Sequence, residues 1–533
     1  MQNNDNRNII LTGFMGTGKT TVGKLLAKKM NRNFIDTDQL IETRQGLSIP
    51  DIFADLGESA FRQMEADLAQ ELGEKEGLII STGGRFMLDS VNVAALSNNG
   101  RVFCLVATPQ EILSRLKNDK DNRRPLLNVP NPSEQIVELL QERKKGYQRF
   151  LKLATDNKHP ADITGNLLDF IQSNPKQLAI DNPDQPYQFI VGNGILPFTR
   201  QLAGSDGMLV VITDKVVKKL YAQSCGSVDH VITIPEDAPQ KTLATVQSIY
   251  DQLLDIGFDR FGTIIALGGS VVGDIAGFVA ATFMRGVDLV QCPTSLLAMA
   301  DTSIGGKNSI DLPQGKNLIG SFKQPNIVIA DVATLSTLPP EELLSGMAEI
   351  IKHSLLADTD LLQKIEHGDW PLKTDPLNDS SEIQTLVAKA IQVKISFVQK
   401  DPFDQGIRSY LNLGHTFAHA IEQVSEYTVK HGEAVAMGLV SAADLSARLG
   451  YCSPQLKERI ELVLKKVGLP SQIPATLLPE LILNAMNRDK KRTPQSLRLV
   501  LPVEVGQVFL ANNVPTADIL KTLKAVSSTS AMQ

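Results

Sequence analysis

The chain has 533 residues, with 53 Lys and Arg against 59 Asp and Glu, for a formal net charge of -6. That balance argues against a general nucleic-acid binder, which would carry a basic excess. Hydrophobic residues make up 42%, enough apolar surface to exclude disorder as the dominant state, and at roughly 150 residues per domain three or four compact units are expected.

The four cysteines, Cys104, Cys225, Cys292 and Cys452, lie far apart and form no CxxC pair. Neither a disulfide framework nor a thiolate zinc site is expected, and a reduced cytoplasmic setting fits. The opening MQNNDNRNIILTG lacks an apolar signal core, and no run of 18 apolar residues suggests a membrane span.

In chain order, the first element is an apolar strand, NIILTG (8–13). The loop GFMGTGKTT (13–21) follows and opens a helix over 18–30, with Val22, Leu25, Leu26 and Met30 on one face. Strand, GxxxxGK[ST] and helix together make a P-loop. Gly13, Gly16 and Gly18 let backbone N–H groups wrap phosphates, Lys19 reaches the β/γ-phosphates, Thr20 ligates Mg²⁺, and Thr21 completes the ATP-binding loop. Asp36 and Asp38 come just after a second strand; one carboxylate supports Mg²⁺ while the other contacts a hydroxyl acceptor. Further strands at 77–82 and 102–108 alternate with helices, which indicates a parallel sheet covered on both faces.

Arg62 in GESAFRQME, TGG (82–84), RRPLL (123–127) and Arg143 in ERKKGY follow in order. With the P-loop, they resemble shikimate kinase over nearly all of residues 7–170. The resemblance implies a nucleoside-monophosphate-kinase-like α/β fold and ATP-dependent phosphorylation of shikimate. By the same resemblance, Asp38, Arg62, Gly84 and Arg143 hold shikimate, with both arginines on its carboxylate. Asp38 also orients the attacking hydroxyl, Thr20 and Asp36 are the Mg²⁺ candidates, and Arg124 belongs to a lid over ATP. Two departures stand out: Arg85 replaces the third glycine of a family triplet, and Lys145-Gly146 replaces a Pro-Leu pair. Both bear on acceptor identity rather than ATP use. Another small polyol, or a kinase-like module kept as a structural or nucleotide-sensing partner, therefore stands as the alternative.

Residues 173–186, SNPKQLAIDNPDQP, hold three prolines and read as a linker between a kinase-like domain (1–172) and the remainder of the chain. Strands are expected at 188–192, 208–214, 263–269, 287–291 and 327–331, as an α/β domain over 187–338. ALGGSVVGDIAGF (266–278) leaves a strand and opens a helix from Gly273, a glycine-rich dinucleotide candidate comprising Gly268, Gly269, Val271 and Asp274. Asp214 ends an earlier strand, where a carboxylate bonds ribose hydroxyls. Lys241, Thr294 and Ser295 add contacts.

From about 341 to 485 amphipathic helical patterns dominate, giving a mainly helical domain over 339–525. NLGHTFAHAIE places His415 and His419 at i, i+4, and His431 follows; spacing alone makes both His415 and His419 zinc ligands. Glu349 is a candidate carboxylate ligand. Lys307, Lys316, Asn317, Lys352, Lys394 and Arg408 gather near glycine turns and helices, as an anionic phosphorylated substrate would need.

GGSVVGDIAGF, TSLLAMADTSIGGK, GKNLIGSF, LPPEELLSGMAEIIKH, LNLGHTFAHAIE, HGEAVAMG and RDKK, in this order, resemble 3-dehydroquinate synthase from about 187 to 515. The resemblance implies Glu349, His415 and His431 as ligands of one divalent cation, Zn or Co. His419 becomes a substrate and proton-transfer residue, which replaces the spacing-based assignment. It implies NAD as a cofactor regenerated each turnover, 3-deoxy-D-arabino-heptulosonate 7-phosphate as substrate, and 3-dehydroquinate and phosphate as products. Asp301, Lys307, Asn317, Lys352, Lys394, Arg408 and Asn412 line the implied pocket, and Lys316 lies near the cofactor. One of Lys490 and Lys491 meets phosphate. So does Arg285, from across the interface of a homodimer formed through this half. Asp404 stands for a usual Glu, Ser270 for a Gly, and Asp237-Ala238 for a Gly-Glu pair, so one ribose contact is lost. The implied whole is a bifunctional enzyme with small-molecule substrates and neither nucleic-acid nor membrane partners.

Overall fold

In a computed structural model of the chain, the described residues are 5–118, 130–183, 185–205, 207–235, 241–368, 380–488 and 497–528. Arg124, Asp237, Ala238, Lys490 and Lys491 lie outside them. Strands β1 (Asn8–Gly13), β2 (Asn33–Asp36), β3 (Leu78–Ser81), β4 (Gly100–Val106) and β5 (Leu151–Ala154) form an all-parallel sheet in the order β2-β3-β1-β4-β5. Every residue of β1 is buried, because helices cover both faces. Ile10, Ile80 and Cys104 point into one apolar cluster, and Ile9, Leu11, Ile79 and Phe103 into another.

A second sheet is built from β6 (Lys176–Ile180), β7 (Tyr187–Gly192), β8 (Leu209–Thr213), β9 (His230–Thr233), β10 (Thr263–Gly268), β11 (Asp288–Pro293) and β14 (Ile327–Asp331). Its order is β6-β7-β14-β11-β10-β8-β9, parallel except for β6. The stretch expected as a linker therefore differs: within it, β6 pairs antiparallel with β7, Lys176 opposite Val191 and Ile180 opposite Tyr187. Pro175 and Pro183 flank this strand instead of interrupting it, as a residue without an N–H must. The helix expected from Gly273 starts earlier, spanning Ser270–Thr282. An antiparallel hairpin, β12 (Lys307–Leu312) with β13 (Gly315–Phe322), projects from this unit. Beyond it, helices Pro340–Ala357, Ser380–Lys400, His415–Val424 and His431–Arg448 pack around a large apolar core, joined by a second hairpin, β15 (Leu499–Glu504) with β16 (Gln507–Ala511).

The two halves share a core. The face of the first sheet bearing Ile9, Leu11 and Phe103 meets helix Pro160–Gln172, and the same cluster continues through Leu196 and Leu202 to Ile190, Val211 and Ile265 of the second sheet. Phe103, Phe170 and Phe198 stack edge to face across it, with ring centroids 6.1 and 5.5 Å apart. No helix among the described residues is long and apolar enough to cross a membrane.

Candidate active sites

In the first half, the loop after β1 needs its glycines. Gly13 has a φ of 132°, and a Cβ there would overlap the Leu105 carbonyl; Gly18, at φ 93°, caps the helix Lys19–Met30. Lys19 Nζ donates to the Phe14 carbonyl at 3.0 Å. Thr20 Oγ1 donates to Asp36 Oδ2 at 2.9 Å, so the two candidate Mg²⁺ groups meet. Thr21 is exposed on the helix's first turn. Asp36 also caps helix Thr37–Gln45, which carries Asp38.

The acceptor candidates converge next to this loop. A Cβ on Gly83 would overlap the Asp38 carboxylate, and one on Gly84 would stand 3.6 Å from Arg143 Nη1. The Arg143 guanidinium lies 5.2 Å from the Phe14 ring centroid. Arg62 is held on its own helix by Glu58 at 2.9 Å and by buried Glu65 at 2.6 Å. Burial raises the Glu65 carboxyl, against the pull of Arg62. Arg85 is half-exposed and turns to Glu58 at 3.8 Å, toward the rim. Two residues escaped the sequence reading. Tyr147 donates to the Gly84 carbonyl at 2.5 Å, and Arg115 spans from the Gly16 carbonyl (3.3 Å) to the Thr155 carbonyl (2.6 Å). Arg115 belongs to no spacing motif; Tyr147 closes the ERKKGY motif, but the motif does not show which backbone oxygen its hydroxyl meets.

In the second half, β8, β10 and β11 are neighbours, so their carboxyl ends bring Asp214, Gly268-Gly269 and Thr294-Ser295 together. Such an edge is where open parallel sheets take ligands. Thr294 N–H donates to the Gly268 carbonyl at 3.0 Å. Asp214 caps the helix Lys215–Tyr221 by accepting from Val217 N–H at 2.8 Å. Lys241 pairs with Asp274 and donates to Asn317 Oδ1, each at 2.5 Å. Burial raises the Asp274 carboxyl, with Lys241 opposing. Val271 lies in the first turn of the helix that Gly269 caps. Lys316 Nζ sits 3.7 Å over the Tyr427 ring.

The segment after Ser295 leads directly to the metal candidates. At Gly346 the helix Pro340–Ala357 presses against Leu296 and Leu297 so closely that a Cβ would meet them at 2.6–2.7 Å. One turn further on, Glu349 is fully buried. His415 and His431 are each the first residue of their helices. Their Nε2 atoms lie 3.3 and 3.5 Å from Glu349 Oε1, and one ligand atom from each residue fits within 4.8 Å of the others. Glu349 Oε1 has no hydrogen-bond partner despite its burial. One carboxylate and two imidazoles, with an orphaned oxygen facing both rings, fit a divalent cation with an open position. His419 stands outside this group. Its ring is 5.5 Å from that of His415 and is exposed, so a shared helical face does not make it a third ligand. The convergence comes from helix crossings: a Cβ on Gly432 would overlap Ser345, and one on Gly438 would overlap the Gly414 carbonyl.

Around this centre the positive side chains are braced. Lys352 is buried against Glu349 Oε2. Burial alone would lower its ammonium, but Glu349 and Asp301 raise it on balance. Glu349 is held well below the ordinary range; burial opposes this, and Lys352 and His415 overcome it. Lys394 donates to Asp301 Oδ1 at 2.9 Å, and Asp301 lies on a single π-turn, Ala298–Thr302. Arg408 donates to the Pro402 and Gly305 carbonyls at 2.6 and 3.0 Å. Lys307 pairs with Asp404, and Asn412 is exposed. Arg285 is exposed in a turn at φ 67°.

Comparison with known proteins agrees with both halves. Residues 231–345 match the family model for the N-terminal part of 3-dehydroquinate synthase, 346–492 that for its C-terminal part, and 15–172 that of shikimate kinase. A 3-dehydroquinate synthase of Desulforamulus reducens is 41% identical over 65% of this chain and 99% of its own length. One of a Synechococcus species is 37% identical over 66% of this chain and 99% of its own. A solved 2-deoxy-scyllo-inosose synthase, complexed with carbaglucose-6-phosphate, NAD⁺ and Co²⁺, is 25% identical, with a TM-score of 0.60, over 66% of this chain and 100% of its own. The chain belongs to the 3-dehydroquinate synthase family and carries, ahead of that part, a segment of the shikimate kinase family.

Proposed function

We propose that the chain is a bifunctional enzyme of aromatic precursor synthesis. One half phosphorylates shikimate with ATP, and the other converts 3-deoxy-D-arabino-heptulosonate 7-phosphate to 3-dehydroquinate and phosphate. The observation that carries the synthase reading is the meeting of Glu349, His415 and His431 beside a sheet edge suited to NAD. A divalent cation held there, Zn²⁺ or Co²⁺, would polarise a substrate oxygen, and nicotinamide would take and return a hydride. Asp214, Gly268, Gly269, Thr294 and Ser295 bind the cofactor, with Lys241, Val271, Asp274 and Lys316 beside it. Lys307, Lys394 and Arg408 hold the substrate's anionic groups; their braces keep the cations aimed without substrate. Asp301, Asn317, Lys352 and Asn412 complete the pocket. His419, exposed beside His415, moves a proton at a substrate oxygen.

In the kinase half Lys19 and the loop's N–H groups hold the phosphates of ATP, and Thr20 with Asp36 holds Mg²⁺. Asp38 orients the acceptor hydroxyl and accepts its proton. Arg62 and Arg143 bind the carboxylate, and Gly84 leaves room for the ring. The reading includes a cytoplasmic homodimer formed through the synthase half, in which Arg285 of one copy reaches phosphate in the other; sedimentation of the purified chain tests that dimer. One assay tests both chemistries on the full-length chain. ATP consumption should depend on shikimate, and no turnover at millimolar acceptor would leave the kinase half a structural or nucleotide-sensing module. Exhaustive chelation should abolish dehydroquinate formation, and Zn²⁺ or Co²⁺ should restore it. Turnover that survives chelation would contradict the metal assignment, and a product of different mass would contradict the substrate.

A further inference from the structure

We infer that Glu422 is a positioning residue that orients the metal ligand His431. This rests on the reading of Glu349, His415 and His431 as a metal centre.

An imidazole can ligate through one nitrogen only if the other holds the proton, so whatever faces that second nitrogen fixes both tautomer and ring plane. The two candidate histidines are treated differently. His415 Nδ1 lies 3.3 Å from the Leu413 carbonyl, a neutral acceptor two residues away on its own segment. His431 opens its helix as His415 does, yet its second nitrogen is faced from outside its own segment. Its Nδ1 instead faces a carboxylate from a neighbouring helix, Glu422 Oε1, at 3.4 Å, while its Nε2 points to Glu349 Oε1 at 3.5 Å. The ring is thus strung between two carboxylates, one at the metal position and one behind it. Glu422 is itself largely buried, with 13% of its side chain exposed, so its charge is poorly screened.

Glu422 reaches this position through helical periodicity. His415, His419 and Glu422 lie at i, i+4 and i+7 of the helix His415–Val424, on one stripe. One helix therefore supplies a ligand, an exposed histidine beside it, and the brace for a ligand on the next helix. A carboxylate behind a ligating imidazole keeps Nδ1 protonated, leaves the Nε2 lone pair free, and makes the ring a stronger donor.

The test measures metal binding, not turnover. Full-length chain is stripped with chelator and titrated with Co²⁺ against a chromophoric competitor, and the visible spectrum of the bound Co²⁺ is recorded. Glu422→Ala should weaken Co²⁺ binding by about 10–100-fold and change the spectrum. The isosteric Glu422→Gln, whose amide oxygen still accepts from Nδ1, should fall between it and the unaltered chain. Metal affinities of both variants within about twofold of the unaltered chain, with the same spectrum, would overturn the inference. So would a lowered melting temperature of the metal-free variants with unchanged Co²⁺ affinity, the mark of a purely structural contact. Glu349→Ala and His431→Ala separate the two levels. If these bind Co²⁺ as the unaltered chain does, the metal centre itself is wrong; if they lose it while the Glu422 variants do not, only this inference falls.

Discussion

Single side chains divide into those whose type is forced by backbone or charge and those placed only by tertiary packing. Lys19 belongs to the first kind, since nothing else in the loop carries a mobile positive charge to a phosphate. Lys19→Ala should cut shikimate-dependent ATP turnover by on the order of 100-fold or more while dehydroquinate formation persists, as parallel assays on one preparation would show. Lys352 is forced by electrostatics: it is 1% exposed and sits against the fully buried Glu349. Replacing it by Met removes the largest charge that compensates that carboxylate in the metal-free chain, at a cost of about 3–5 kcal/mol in denaturant unfolding. The P-loop and the Glu349, His415 and His431 set were legible in residue type and motif order. The pairing of His415 with His419 misled, because a 3.6-residue period shows which residues share a face but not which neighbouring helix that face meets. Arg115 was illegible for the same reason, and Tyr147 and Glu422, though they close the motifs ERKKGY and LNLGHTFAHAIE, gave no sign of what they would touch.

At the level of helices and strands, the metal group depends on how closely the helices Pro340–Ala357 and His431–Arg448 cross. Ser345 Oγ accepts from Gly432 N–H at 2.9 Å where the two backbones touch. Gly432→Ala would put a Cβ onto Ser345 and force the helices apart, separating Glu349 from His431. We expect a loss of about 1–3 kcal/mol in stability, and at least tenfold weaker Co²⁺ binding, roughly the effect of disturbing a ligand's support; calorimetry and competitor titration read the two. Most strands of the two sheets were legible as short apolar runs. β5, β6, β9, the β12–β13 hairpin and the β15–β16 hairpin were not. β13 is exposed or half-exposed along its whole length, so it shows no apolar alternation, and its two glycines and its lysine read as a turn. Pro175 and Pro183 masked β6 in the same way, by signalling a break at positions that only bound the strand.

Across the whole molecule, the feature least visible beforehand is the common core of the two halves. The stripe of Leu167, Phe170 and Ile171 reads equally well as the inner face of a helix buried within one domain. In fact Phe170 packs on Phe103 behind it and Phe198 ahead of it. Phe170→Ala should cost about 3–5 kcal/mol, and thermal inactivation should then lower the midpoints of kinase and synthase together, whereas independent domains would show only the kinase midpoint moving. Because β6 is woven into the sheet that comes after it, the connection between the halves is a fixed girder and not a tether. The two sites are therefore carried on one continuous framework, and neither swings toward the other on a flexible tether. A cell that clears a damaged copy by proteolysis removes one molecule of each enzyme at once, which holds their abundances at parity without any regulator.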